Sequence, residues 1–215
     1  YFLGTTTVTC TATDAAGNVG TGSFTVTVNY TASGDTTPPD PGAPYTITDD
    51  STGGDCQYIG TWDSGTKTCT ITGDVTADLS DGIIIGSDGI TLDGGNNYGI
   101  YGTATGTGAG AALAPNYGTS GGTVSPDGQY GVLIDGKDNV TIKNLGAIQN
   151  FHAGIVVKDA NNVDILSNTI SLLPYSAMQV VGSSGVTMTS NTISNVLTSW
   201  DYGCAVQISS WATVT

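Results

Sequence analysis

An all-β solenoid, wound as a parallel β-helix, is the fold this sequence predicts, and two observations predict it. The first is a 23-residue register, in which Gly131-Val-Leu-Ile134, Gly154-Ile-Val-Val157 and Ala177-Met-Gln-Val180 are equivalent runs. Val140-Thr-Ile142, Val163-Asp-Ile165 and Val186-Thr-Met188 follow at the same offset. Each unit holds short apolar runs between Asn, Asp, Ser and Gly turns. One unit cannot bury a core, whereas a stack of them can. The second observation is composition. Gly, Thr, Ser and Asn are abundant, every acid is Asp and every base is Lys. That removes most strong helix formers and leaves strands and turns. Leucine-rich repeats share such periods, but Leu is too sparse for their frame. Three short strands per coil would instead place neighbouring coils ~4.8 Å apart.

The elements follow in order. Residues 4–29 alternate: Thr5-Thr-Thr-Val-Thr-Cys-Thr-Ala-Thr13 and Gly22-Ser-Phe-Thr-Val-Thr-Val28 are strands joined by the Asp14–Asn18 turn. Two strands cannot bury a core, so residues 1–30 are expected to be the closing part of a larger module. Residues 31–45 carry Pro38, Pro39, Pro41 and Pro44 and read as a stiff linker. The second domain is expected over 46–215, with an entry cap at 46–80. Ile83-Ile-Ile85 and Gly89-Ile-Thr-Leu-Asp93 begin the recognisable units, Ile90 and Leu92 standing where Val140 and Ile142 stand later. The period fails across 101–130, a Gly- and Ala-rich insertion. Regular coils fill 131–215, where the last spacing stretches to 28 residues, from Ala177, Gln179 and Val186 to Ala205, Gln207 and Val214. Both ends are expected to be unfinished, as in a fragment or in a subunit that neighbours complete.

Gly4-Thr-Thr-Thr-Val-Thr-Cys-Thr-Ala-Thr-Asp-Ala-Ala-Gly-Asn-Val19, then Ser23-Phe-Thr-Val-Thr-Val28, resembles the closing hairpin of the HYR family, an immunoglobulin-like extracellular module. Residues 46–215 resemble right-handed parallel β-helix families of the NosD-like and pectate-lyase-like kind. Asp138-Asn-Val-Thr-Ile-Lys-Asn144, Asn161-Asn-Val-Asp-Ile-Leu-Ser-Asn168 and Gly185-Val-Thr-Met-Thr-Ser-Asn191 carry that likeness. It implies exported, prokaryotic surface proteins, some of them active on polysaccharides.

Cys56 and Cys69 bracket the turn Asp63-Ser-Gly65, and a 13-residue separation around a hairpin suits a disulfide. Cys10 and Cys204 have no evident local partner and are free or paired outside the chain. Asn168 and Asn191, in the register Asn168-Thr-Ile170 and Asn191-Thr-Ile193, are expected to stack as a turn ladder.

Chemistry is harder to place. On the 23-residue register Asp135 aligns with Lys158, with Asp159 adjoining and His152 opening the same coil. These four form the best acid/base candidate for a polysaccharide lyase or glycoside hydrolase. No carboxylate ladder recurs on successive coils, and no Arg is present to clamp a sugar. Trp200, Asp201 and Tyr202, in the expanded last coil, are candidates for carbohydrate or partner binding. Calcium could use Asp49 and Asp50 or Asp88 and Asp93, without any Asp-x-Asp-x-Asp-Gly loop. Asn29 and Asn139 match the N-glycosylation pattern.

A formal charge of −14 excludes a phosphate-binding nucleic-acid partner, and no apolar run is long enough to span a membrane. The expected function is a structural or adhesive module of a large exported surface or filament protein, assembling through its terminal edges. Its localisation is extracellular or cell-surface, with signal and anchor outside this chain. The alternative is a carbohydrate-active or carbohydrate-binding β-helix.

Overall fold

The computed structural model describes residues 4–28, 40–103, 129–196, 204–209 and 212–214. The chain divides into two compact units, Tyr1–Pro39 and Asp40–Thr215.

In the first unit, β1 (Gly4–Thr13) and β2 (Val19–Val28) pair antiparallel, with Val8 opposite Phe24 and Thr9 opposite Ser23. Because side chains alternate between faces, one face gathers Val8, Cys10, Ala12, Phe24 and Val26. The other gathers Thr7, Thr9, Thr11, Thr13, Thr21, Ser23 and Thr25, with Val19 opposite Thr13 at its end. Asp14 closes the turn, accepting the amides of Ala16 and Asn18 at 2.9 Å.

The second unit contains β3 (Tyr45–Ile47), α1 (Cys56–Ile59), β4 (Gly60–Asp63), β5 (Thr68–Ile71) and β6 (Val75–Ala77). Next come β7 (Ile83–Ile85), β8 (Thr91–Asp93) and β9 (Gly99–Gly102), then β10 (Tyr130–Asp135), β11 (Thr141–Lys143) and β12 (Ala147–Gln149). The following coils are β13 (Ala153–Lys158), β14 (Asp164–Leu166) and β15 (Thr169–Leu173), then β16 (Ser176–Val181), β17 (Thr187–Thr189) and β18 (Thr192–Val196). β19 (Cys204–Ser209) is the last strand described.

Three sheets result, each strand lying beside its equivalent from the next coil. Their orders are β3-β7-β10-β13-β16-β19, β4-β5-β8-β11-β14-β17 and β6-β9-β12-β15-β18. All pairings in them are parallel except β4 with β5. The register is the one read from the sequence: Tyr130 meets Ala153, Ala153 meets Ser176, and Ile142 meets Ile165. The stretch to 28 residues also holds, with Gln179 beside Gln207 and Val186 bridged to Val214. Residues 104–128 of the expected insertion, residues 31–39 of the expected linker, and Asn29, Trp200, Asp201 and Tyr202 lie outside the described residues.

The core is a set of columns running through the coils. Cys69, Leu92, Ile142 and Ile165 form one, and Ile85, Ile134, Val157 and Val180 another, all essentially inaccessible to solvent. Gly131 and Gly154 occur where coils approach closely. A Cβ on Gly154 would sit 2.6 Å from the Ala177 carbonyl oxygen and 2.7 Å from Ile170 Cγ2. On the outer side of the first sheet, Tyr130, Ala153 and Val156 form a separate buried cluster with Leu133.

β3, β5 and β6 supply the first rung of all three sheets, and α1 with the β4–β5 hairpin is inserted within that rung. Cys56 and Cys69 are joined as expected, with Cα atoms 5.8 Å apart. The bond ties α1 to β5 rather than strand to strand, because Cys56 opens the helix and Trp62 is what faces Cys69 across the hairpin. Cys10 is a free, exposed thiol, and the Cys204 side chain lies outside the described ones.

Candidate functional site

Asp135 and Lys158 end β10 and β13, and their Cα atoms pair across neighbouring coils. Lys158 Nζ donates to both Asp135 oxygens, at 3.1 and 2.8 Å, and lies 3.7 Å from Asp159 Oδ2. Asp159 takes a left-handed turn conformation, φ 49°. The fold therefore brings these three together. The bond to Asp135 is the main reason that the Lys158 ammonium pKa is raised above its ordinary value. A lysine that abstracts a proton needs the opposite shift.

His152 is not part of this group. It precedes β13 whereas Lys158 ends it, and six residues of extended chain span roughly 20 Å. Its ring stacks on Tyr175 from the next coil, with centroids 4.8 Å apart and planes inclined by 14°. Burial lowers the imidazole pKa, so the ring is neutral near pH 7.

Most other polar candidates are engaged between coils. Asn168, 1% exposed, accepts the Leu145 amide at 3.0 Å and donates to the Ile142 carbonyl at 3.0 Å. Asn191 repeats this one coil on, donating to the Ile165 carbonyl at 2.7 Å and accepting the Asn168 amide at 2.9 Å. Asn139 is exposed at a turn with φ 58°, and its carbonyl accepts from Asn162 at 3.3 Å. Trp62 donates to the Asp50 carbonyl at 3.0 Å and lies over Gly53.

The calcium candidates are also occupied by the protein itself. Asp49 pairs with Lys67 at 2.6 Å, Asp88 accepts the Asp138 amide at 3.0 Å, and Asp93 pairs with Lys143 at 3.2 Å. Among the described residues no three His, Cys or Asp side chains converge as metal ligands. Asp50 accepts from the Gly54 amide, the Thr48 hydroxyl, and the Thr52 amide and hydroxyl, all within 2.9 Å. Those bonds, led by Gly54, hold its carboxyl far below the usual carboxylate range. A depressed folded-state pKa stabilises the turn above the ordinary value of about 4 and releases it only as pH falls through the depressed one. The Asp50 carboxyl resonance should therefore stay ionised through about pH 3 in an NMR titration. A midpoint near the ordinary value would contradict that bonding.

One concave feature has no counterpart among the expected residues. A cavity of about 200 Å³ opens beside the first rung, lined in part by Asp40, Tyr45, Tyr58, Asp74 and Thr76. Its side chains come from segments that do not repeat, so the 23-residue register gave no signal for them.

No helix among the described residues is long and apolar enough to cross a membrane. No curated protein and no solved structure matches the chain. A family model described as "Right handed beta helix region" matches residues 45–215, the stretch that builds the three parallel sheets. This chain belongs to the right-handed β-helix family.

Proposed function

We propose that the chain is a structural and adhesive module of an exported surface or filament protein, a stiff spacer rather than a polysaccharide-cleaving enzyme. The observation that carries this reading is the state of Lys158. It is the one base in the acid/base candidate besides His152, and it clamps two coils through Asp135 with its pKa raised. The outer column beside that pair supports the same reading. Leu133 and Val156 are apolar, and Gln179 is bonded to Ser176 at 2.9 Å. The buried Cys56–Cys69 disulfide supports an oxidising, extracellular compartment. The Thr-rich hairpin ahead of the solenoid fits an Ig-like neighbour in tandem, and strand addition is a route by which such modules assemble.

The test is a cleavage assay on neutral and acidic polysaccharides with the parent chain and with Asp135→Asn/Lys158→Ala. No product is expected from either. The double variant should lose less than about 1 kcal/mol of stability, as for an exposed ion pair. Cleavage by the parent that falls at least about tenfold in the double variant, at equal stability, would establish the enzyme instead.

A further inference from the structure

Aspartate isomerises most readily where glycine follows it, because no side chain hinders attack on the carboxyl. The following amide nitrogen bonds to the aspartate Cγ, and the carboxyl hydroxyl leaves with the amide hydrogen as water, closing a succinimide. Water then reopens the ring at the main-chain carbonyl, which leaves isoaspartate and one extra methylene in the backbone. No oxidant or cofactor takes part. The amide must release its hydrogen and the carboxyl must swing over it, so both groups have to be free.

Four Asp-Gly pairs occur among the described residues, at 81–82, 88–89, 93–94 and 135–136. Each glycine amide donates to a carbonyl of the next coil. Gly82 reaches Tyr130 at 2.8 Å, while Gly89 reaches Asp138, Gly94 Lys143 and Gly136 Lys158, each at 2.9 Å. The carboxylates are held too. Asp81 accepts the Gln129 and Tyr130 amides at 2.7 Å, Asp88 the Asp138 amide at 3.0 Å, Asp93 the Gly95 amide at 2.9 Å and Asp135 the Lys158 ammonium at 2.8 Å. Each pair can therefore react only after its coil opens locally, and the open fraction scales the rate.

The β4–β5 turn is built differently. Asp63 and Ser64 are exposed, and the Ser64 amide has no hydrogen-bond partner among the described residues. Asp63 Oδ1 accepts only from its own turn, from Gly65 at 2.9 Å and Thr66 at 3.4 Å. Asp50 also precedes a serine, but its carboxylate is taken up by the Thr48, Thr52 and Gly54 donors. We infer that Asp63 is the site of spontaneous aspartate isomerisation in the folded chain, and that coil-to-coil bonds keep the four Asp-Gly pairs unreactive. Dipeptide chemistry alone ranks these sites the other way. The product at Asp63 is a substrate for enzymes that methylate isoaspartyl carboxyls.

The test is prolonged incubation of the full chain at neutral pH, native and in guanidinium chloride with the disulfide reduced. Isoaspartate is located by fragmentation mass spectrometry and by enzymatic methylation with a labelled methyl donor. In the native chain Asp63 should convert first, and the four Asp-Gly pairs should convert at least about tenfold more slowly than in denaturant. In denaturant those four should overtake Asp63. Ser64→Gly should speed conversion at Asp63 at least about threefold in the native chain, with an unchanged thermal midpoint. Three results overturn the assignment. They are native conversion of the Asp-Gly pairs within about twofold of the denatured rate, an unmodified Asp63 once the denatured chain has converted those pairs, and no acceleration in Ser64→Gly.

Discussion

Asn168→Ala is expected to lower the unfolding free energy by roughly 3–5 kcal/mol, among the largest effects of any single polar substitution in the solenoid. Its amide satisfies three groups across three coils. It accepts from Leu145 N–H, donates to Ile142 C=O and donates to Asn191 Oδ1. With Asn168 1% exposed, truncation leaves Leu145 N–H buried with no water to replace the amide and removes a donor from Ile142 C=O. The orphaned N–H costs about 1–3 kcal/mol, and the donor lost from Ile142 C=O and the lost packing add to it. Asp would restore the acceptor but not the donor, so Asn168→Asp should fall between parent and Ala near neutral pH. Urea denaturation of the three proteins measures the order. Parent-like stability of the Ala variant would mean that the ladder is decorative and that the apolar columns alone hold the coils in register.

That ladder was legible in the sequence for a specific reason. In a parallel stack, residues one period apart in sequence are neighbours in space, so alignment of repeats is already a contact map. Hence Asn168 meets Asn191, Asp135 meets Lys158, and the stretched spacing still brings Gln179 beside Gln207. The same logic fails along a strand. His152 and Lys158 share a coil, but extended chain carries them to opposite ends of β13. It fails again where the repeat is interrupted. Tyr45-Thr-Ile47, Thr68–Ile71 and Val75–Ala77 form the first rung, yet α1 and the hairpin between them disguise the period. The cavity of about 200 Å³ lies in that disguised rung. Asp40, Tyr45, Tyr58 and Asp74 occupy no common register, and only the fold brings them to one opening.

The disguised rung also sets the second large effect. Replacing Cys56 and Cys69 together with Ala should cost about 3 kcal/mol, the loop-closure value for a 13-residue separation, plus a smaller packing loss. Both side chains are 0% exposed, so the sulfurs also fill core volume. The consequence should be local. α1 has four residues and cannot hold a helix unaided, and the β4–β5 hairpin pairs with the rest of its sheet through β5. Coupling in a solenoid runs chiefly between adjacent coils, so the rung that loses its tie should open before those beyond it. Hydrogen exchange should therefore accelerate at Tyr58 and Thr72, whose amides bond to Asp55 and Ile59. The Ile142 and Ile165 coils should keep their protection. Uniform acceleration across all coils would instead make the stack one cooperative unit. Stability within about 0.5 kcal/mol of the parent would show that packing alone holds α1.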